Sequence, residues 1–282
     1  MTPLVTTEWL ASEMGAADLV ILDASAHLPG TGRDPAAEYA AAHIPGARFL
    51  DLMGALVDPQ GDVPAALPTR AQFEARMGAL GVNADSRVVL YDNSDMRTSA
   101  RAWFIFRLYG HPEFTILDGG MQKWVAEGRP VETGHASFDA ADYVSTGGHG
   151  AVRSKADMLA NCKSCVEQVV DARDAGRFAG TVEDTVHGLP GGHIPGARHL
   201  LFRDVLAEDG TFLPPAQIAE AFAKAGIDPD KPLAASCGSG VTASVLLFAH
   251  SLLGHDHGAL YDGSWSDWGS DPNTPKETGE AA

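Results

Sequence analysis

The residues best suited to chemistry stand in a row, Cys237-Gly238-Ser239-Gly240, between the run Leu233-Ala234-Ala235-Ser236 and the apolar stretch from Val241 to Leu253. The run reads as a buried strand and the stretch as a helix, so the cysteine occupies a tight loop at a helix N-terminus. Two glycines let the loop curl until backbone N–H groups point at the sulfur, beside the positive end of the helix dipole. Such a site favours a thiolate over the free thiol, whose pKa is about 8.5, and the thiolate is the nucleophile. An isolated cysteine is more often a small core residue; the strand, glycine loop and helix around Cys237 favour the reactive reading. Two other groups have ligand-like spacing. Cys162-Lys163-Ser164-Cys165 is a CxxC at the end of a helix, with no second pair to complete a zinc site, and reads as incidental. His255-Asp256-His257 follows Gly254 and reads as a solvated turn, so no metal and no organic cofactor is expected.

The elements that position Cys237 occur twice. His43-Ile44-Pro45-Gly46-Ala47-Arg48 returns letter for letter as His193-Ile194-Pro195-Gly196-Ala197-Arg198, 150 residues later. Val20-Ile21-Leu22-Asp23-Ala24 matches Val169-Val170-Asp171-Ala172-Arg173, and Asp118-Gly119-Gly120 matches Asp262-Gly263-Ser264 at an offset of 144 that Gly110-His111 and Gly254-His255 share. This is a tandem duplication of a large unit rather than a solenoid. In each half short apolar strands alternate with amphipathic helices, the pattern of a parallel sheet covered on both faces. Strands are expected near 19–23, 87–91 and 114–117, then 168–171, 232–236 and 259–261. Helices are expected from Thr69, capped with Gln72, to Gly81, near 98–109, and near 154–161, 215–225 and 241–253. The offset of 144 sets Asn93 opposite Cys237, so Asn93-Ser94-Asp95-Met96-Arg97-Thr98 carries no nucleophile. The expected division is a first domain over 1–131, a linker over 132–151, a catalytic domain over 152–268 and a loose polar tail over 269–282.

At 282 residues the chain is long enough for two domains of roughly 150 residues. Twenty Lys and Arg against 37 Asp and Glu give a net charge of -17, which repels nucleic acid and anionic lipid. No run approaches the roughly 20 apolar residues of a spanning helix, and Met1 to Leu10 lacks a secretory signal pattern. Three cysteines fit free thiols in a reducing compartment, and a cytoplasmic location is expected.

The segment Cys237-Gly238-Ser239-Gly240-Val241-Thr242-Ala243, the paired HIPGA segments and Asp262-Gly263-Ser264-Trp265 resemble the two-domain rhodanese-superfamily sulfurtransferases, specifically the 3-mercaptopyruvate sulfurtransferases. The resemblance implies tandem rhodanese-like α/β domains, each a mainly parallel sheet flanked by helices, with only the C-terminal cysteine active. It implies that Cys237 takes sulfur from 3-mercaptopyruvate as a persulfide, releases pyruvate, and passes the sulfur to cyanide or to a thiol such as a thioredoxin-like protein. The loop residues Gly238, Ser239, Gly240, Val241 and Thr242 would hold the anion. Arg177, in Gly176-Arg177-Phe178, matches the family's substrate-binding arginine. A second such arginine is absent from Val182-Glu183-Asp184-Thr185-Val186-His187, and Arg97 is the candidate to replace it. A hydroxyl, imidazole and carboxylate relay would map onto Ser239, His43 and Asp34, although the repeat of His43 as His193 also suits a structural turn. Thiosulfate-using members carry basic residues after the cysteine, where Gly238 and Ser239 stand, so thiosulfate is the second donor considered. Related cysteine phosphatases need an arginine at the position of Ala243, which excludes that chemistry. A noncatalytic binding protein would require an unreactive Cys237.

Overall fold

The computed structural model describes residues 1–280, in two compact units. The first comprises Met1–Pro59, Leu67–His149 and Glu208–Phe212, the second Gln60–Ala66, Gly150–Ala207 and Leu213–Ala282.

In the first unit β1 (Leu4–Val5), α1 (Thr7–Glu13), β2 (Leu19–Asp23), α2 (Pro35–Ala41), β3 (Arg48–Phe49), α3 (Arg70–Ala79), β4 (Arg87–Tyr91), α4 (Ser99–Tyr109), β5 (Phe114–Leu117) and α5 (Gly120–Ala126) follow in order. The second contains β6 (Ala151–Arg153), α6 (Lys155–Ser164), β7 (Gln168–Asp171), α7 (Ala175–Ala179), β8 (Arg198–His199), a short 3-10 turn (Phe202–Val205), α8 (Pro215–Lys224), β9 (Leu233–Ser236), α9 (Ala243–Leu252), β10 (Ala259–Tyr261) and α10 (Ser264–Trp268). The sheets run β1-β5-β4-β2-β3 and β6-β10-β9-β7-β8, parallel throughout and identical in topology. The central strands are buried on both faces, which is why they read as continuous apolar runs.

The expected strands and long helices are all present. Those missed are short: β1, β3, β6 and β8 have two or three residues each, and α1, α2, α5, α7 and α10 have five to seven, too few for a period to register. Thr69 and Gln72 form the capping box expected of them, and α4 stops at left-handed Gly110. Packing repeats along with sequence. Trp124 and Trp268, both fully buried, each donate their indole N–H to a proline carbonyl, Pro130 and Pro275, at 2.7 Å.

The stretch 132–149 is laid along the first unit: Glu132 pairs with His43, and Ala141 N donates to Gly78 O. The polar tail is likewise docked, with Glu277 pairing with His193 and Gly279 N donating to Ala179 O; residues 281 and 282 lie outside the described residues. Glu132 and Glu277 also accept from the amides of Gly46 and Gly196, so the duplication reaches these two acids. Among the described residues no helix is long and apolar enough to cross a membrane.

Candidate active site

Parallel β7 and β9 are in register with Asp171 opposite Ser236, so the chain leaving β7 runs beside the loop that carries Cys237. Cys237 itself is 2% exposed. The loop is held by a residue sequence reasoning missed. Ser264 Oγ accepts from the amides of Cys237 (3.0 Å) and Gly240 (3.1 Å) and donates to Tyr261 O (2.8 Å). It also lies 4.0 Å from Cys237 Sγ, but its single proton is committed to the shorter bond to the carbonyl. Ser264 has φ +49, an uncommon conformation for serine; its counterpart Gly120 has φ +57. The signal was visible as serine replacing glycine in the second copy of the Asp-Gly-Gly motif.

These bonds modify the expectation that the loop amides converge on the sulfur, because those of Cys237 and Gly240 are spent on Ser264. The amides of Gly238, Ser239, Val241 and Thr242 have no acceptor among the described residues, and they lead directly into the N-terminus of α9. In the first unit most amides of the equivalent loop have acceptors. Asn93 N donates to Ser25 Oγ, Ser94 N and Ser99 N to the two carboxylate oxygens of Asp92, Met96 N to Ser94 Oγ and Arg97 N to Ser94 O. The amides of Asp95 and Thr98 have no acceptor among the described residues, as with their counterparts Ser239 and Thr242; the loops differ at Ser94 and Arg97, whose amides are engaged where those of Gly238 and Val241 are open. This contrast gives a physical basis for one active and one inactive half.

A charge cluster borders the open loop. Arg173, 1% exposed, forks onto Asp171 through Nε and Nη2, reaches Gly192 O at 2.6 Å and lies 4.6 Å from the centre of the Trp265 ring. Burial disfavours its charge, but Asp171, Asp184 and Cys237 outweigh burial and hold the guanidinium above its ordinary pKa. Cys237 is thus one of the groups within electrostatic reach of the Arg173 guanidinium. Its Nη1 and Asp184 Oδ2 face each other at 3.6 Å, each without a hydrogen bond. Asp184 is fully buried, yet His187 and the guanidinium groups of Arg177 and Arg173 overcome the burial penalty and lower its pKa from 3.8 to about 2. Its stabilising contribution is complete above 3.8 and is lost as pH falls through about 2, so Asp184 stays ionised across the neutral range.

His187 Nδ1 donates to Asp184 Oδ1 at 2.9 Å, which directs the rest of the ring to the cysteine loop. A Cβ placed on Gly238 would lie 2.1 Å from His187 Cε1 and 2.8 Å from Nε2. Glycine is therefore needed at 238 for this close approach. Gly238→Ala is expected to displace the imidazole, cost about 1–3 kcal/mol in urea unfolding through overpacking, and reduce turnover at least about tenfold. Unchanged kinetics would show that the imidazole does not serve the loop.

Arg177 lies on α7, where Nε binds Asp174 Oδ2 at 2.5 Å and Nη1 approaches Asp184 Oδ1 at 3.5 Å; no side-chain bond among the described residues engages Nη2. The remaining expected residues belong to the first unit. Asp34 caps α2 through the amides of Ala36 and Ala37, whereas His43 follows the other end of that helix. The His43 ring is buried, stacks on Tyr39 at 4.2 Å and holds Tyr39 O through Nδ1 at 2.8 Å. His193 repeats this with Phe178, at 3.9 Å and 2.9 Å. Asp34 and His43 thus do not form the hydrogen-bonded pair that a relay requires. Arg97 donates to Gln122 Oε1, and its guanidinium lies against the backbone of Gly210. For the CxxC, burial and then Cys165 and Glu277 push the Cys162 thiol up, opposite to what redox exchange needs.

With this geometry established, comparison with known proteins assigns the family. The profile described as Rhodanese-like domain matches residues 6–127 and 154–271. The chain belongs to the rhodanese family, with two such domains in tandem. It is 36% identical over 294 residues to thiosulfate/3-mercaptopyruvate sulfurtransferase 2 of Arabidopsis thaliana, covering 97% of this chain and 86% of that protein. It is also 36% identical over 272 residues to thiosulfate sulfurtransferase of Bos taurus, covering 94% and 91%. Among solved structures, SseA from Escherichia coli, described as a 3-mercaptopyruvate sulfotransferase, superposes with TM-score 0.85 at 34% identity, covering 94% of this chain and 99% of that one. The rhodanese-family chain is accordingly a sulfurtransferase working through a cysteine persulfide, with Cys237 in the second domain as the candidate carrier.

Proposed function

We propose that 3-mercaptopyruvate is the principal sulfur donor and that Cys237 carries the sulfur to a thiol acceptor. The reading rests on one observation: the amides of Gly238, Ser239, Val241 and Thr242 stand without acceptors in the loop that begins at Cys237, whereas in the first domain those of Ser94 and Arg97, opposite Gly238 and Val241, are already engaged. The Cys237 thiolate attacks the donor sulfur and the carbon–sulfur bond breaks. Its electron pair leaves with carbon as the pyruvate enolate, and the donor's thiol proton ends on that carbon. The persulfide remains as an anion facing the open amides, a preorganised electrostatic site. Attack by an acceptor thiol on the outer sulfur regenerates the Cys237 thiolate.

The donor carboxylate needs a cation, and Arg177 offers Nη2 while Asp174 and Asp184 fix its other edge. His187, pinned by Asp184 against Gly238, is placed to move the proton from sulfur to carbon. The relatives carry both donors in their names; the neutral Gly238 and Ser239 favour the monoanionic keto acid over dianionic thiosulfate.

Pyruvate release from 3-mercaptopyruvate, measured against thiocyanate formation from thiosulfate and cyanide, tests the assignment. The expected result is a larger kcat/KM for 3-mercaptopyruvate, and the reverse order would overturn it. Arg177→Ala is expected to raise KM for 3-mercaptopyruvate on the order of tenfold, the value of one charged hydrogen bond, with a smaller change in kcat. A change confined to kcat would remove Arg177 from substrate binding.

A further inference from the structure

We propose that His250, His255 and His257 form a binding site for a divalent transition ion of the zinc class, separate from the sulfur-transfer chemistry. The Gly254–Gly258 turn supplies two histidines, and the fold adds the third from the last turn of α9. One ring nitrogen from each of the three lies within 4.8 Å of the others. Ring centroids are separated by 4.8 Å for His250 and His255, 5.1 Å for His250 and His257, and 5.4 Å for His255 and His257. Three imidazoles bound tetrahedrally at a metal–nitrogen distance near 2.0–2.1 Å would have centroids about 5.2 Å apart, so the rings already have the spacing of a coordinated set.

The hydrogen bonds supply a second argument. A metal-binding histidine commonly donates its other ring N–H to a carbonyl or carboxylate, which fixes the tautomer and directs the remaining lone pair. His250 is buried, with Nε2 2.8 Å from Pro229 O, so that nitrogen carries the proton and the lone pair of the neutral ring is on Nδ1. The Nδ1 edge faces Gly258, at 3.3 Å from where a Cβ would be. His257 Nε2 similarly approaches Lys231 O at 3.3 Å, and His255 Nε2 is 3.8 Å from Asp230 Oδ1. All three rings therefore have an oxygen acceptor next to one nitrogen. His257 is exposed, leaving room for water as a fourth ligand. The net charge of -17 further favours cations. The cluster lies at the C-terminal end of α9, whereas Cys237 precedes its N-terminal end, so a bound ion would pin the helix to the loop entering β10 without meeting the sulfur.

Cobalt(II) is a suitable probe because its spectrum distinguishes ligand types. The full chain, stripped with a chelator, is expected to bind one equivalent of Co(II) with the visible bands of a four-coordinate nitrogen and oxygen site and no sulfur-to-metal charge transfer. Zinc should displace it. The double variant His255→Gln/His257→Gln, with His250 retained because it also holds Pro229, should weaken binding at least about tenfold while leaving the circular dichroism spectrum and sulfur transfer unchanged. No binding to the parent, or equal binding to the double variant, would overturn the proposal. Thiolate charge-transfer bands that disappear when Cys162, Cys165 and Cys237 are alkylated would overturn it as well, by assigning the metal to cysteine.

Discussion

Cys237→Ser is expected to lower sulfur transfer at least about ten-thousandfold, to the background of the uncatalysed reaction, because a neutral hydroxyl replaces the sulfur nucleophile. The fold should persist. Serine is nearly isosteric with cysteine, and although the position is 2% exposed, a hydroxyl there has the open amides of the loop, those of Gly238, Ser239, Val241 and Thr242, as its neighbours in sequence. A buried hydroxyl with donors to accept from avoids most of the penalty of an unsatisfied polar group, so the thermal midpoint should fall by no more than a few degrees. Mass spectrometry after donor treatment provides the decisive readout: the parent gains one sulfur atom on Cys237 and the variant gains none. Retained turnover in the serine variant, or sulfur found on Cys162 or Cys165 of the parent, would remove Cys237 from the mechanism.

What the sequence disclosed and what it withheld divide along a physical line. The duplication, the central strands and the loop at Cys237 were legible because each is a continuous run whose pattern is local. The partners that make the loop reactive come from elsewhere in the chain. Ser264 is 27 residues beyond Cys237, and its role depends on a positive φ that brings its hydroxyl under the loop amides. Arg173 was visible as the residue after Asp171-Ala172, but its importance follows from the register of β7 with β9. Asp184 and His187 lie in the segment that the family pattern marks only by the arginine missing from it. Spacing along that segment gives no hint that His187 packs against Gly238, a contact apparent only from the room a Cβ would need. The paired histidines show the opposite case. Because His43 and His193 sit in identical hexapeptides, the turn reading was available from the repeat, and both rings hold a carbonyl and stack on an aromatic ring.

Arg173→Ala should cause the largest loss of stability among the site variants. The guanidinium is 1% exposed and binds Asp171, itself 2% exposed, while Asp184 beyond it is fully buried. Removing the cation leaves Asp171 without a counter-ion and deprives Asp184 of one of its two guanidinium neighbours; breaking such a buried pair costs about 3–5 kcal/mol. The 4.6 Å contact with Trp265 and the bond to Gly192 O are lost as well. Arg173→Lys separates charge from shape: it keeps the positive charge but not the planar fork that reaches Asp171 and Gly192 together, so its stability should fall between those of the parent and the alanine variant. The same charge bears on the sulfur. Iodoacetamide should alkylate Cys237 more slowly at neutral pH in Arg173→Ala than in Arg173→Lys, because the thiolate has lost a buried cation while the amides of Gly238 to Thr242 remain. Urea unfolding and alkylation kinetics on the three proteins test the two roles separately. A stability loss below about 1 kcal/mol would place Asp171 and Asp184 in a far more solvated environment than their burial implies. Equal alkylation rates in the alanine and lysine variants would assign support of the thiolate to the loop and helix α9 alone.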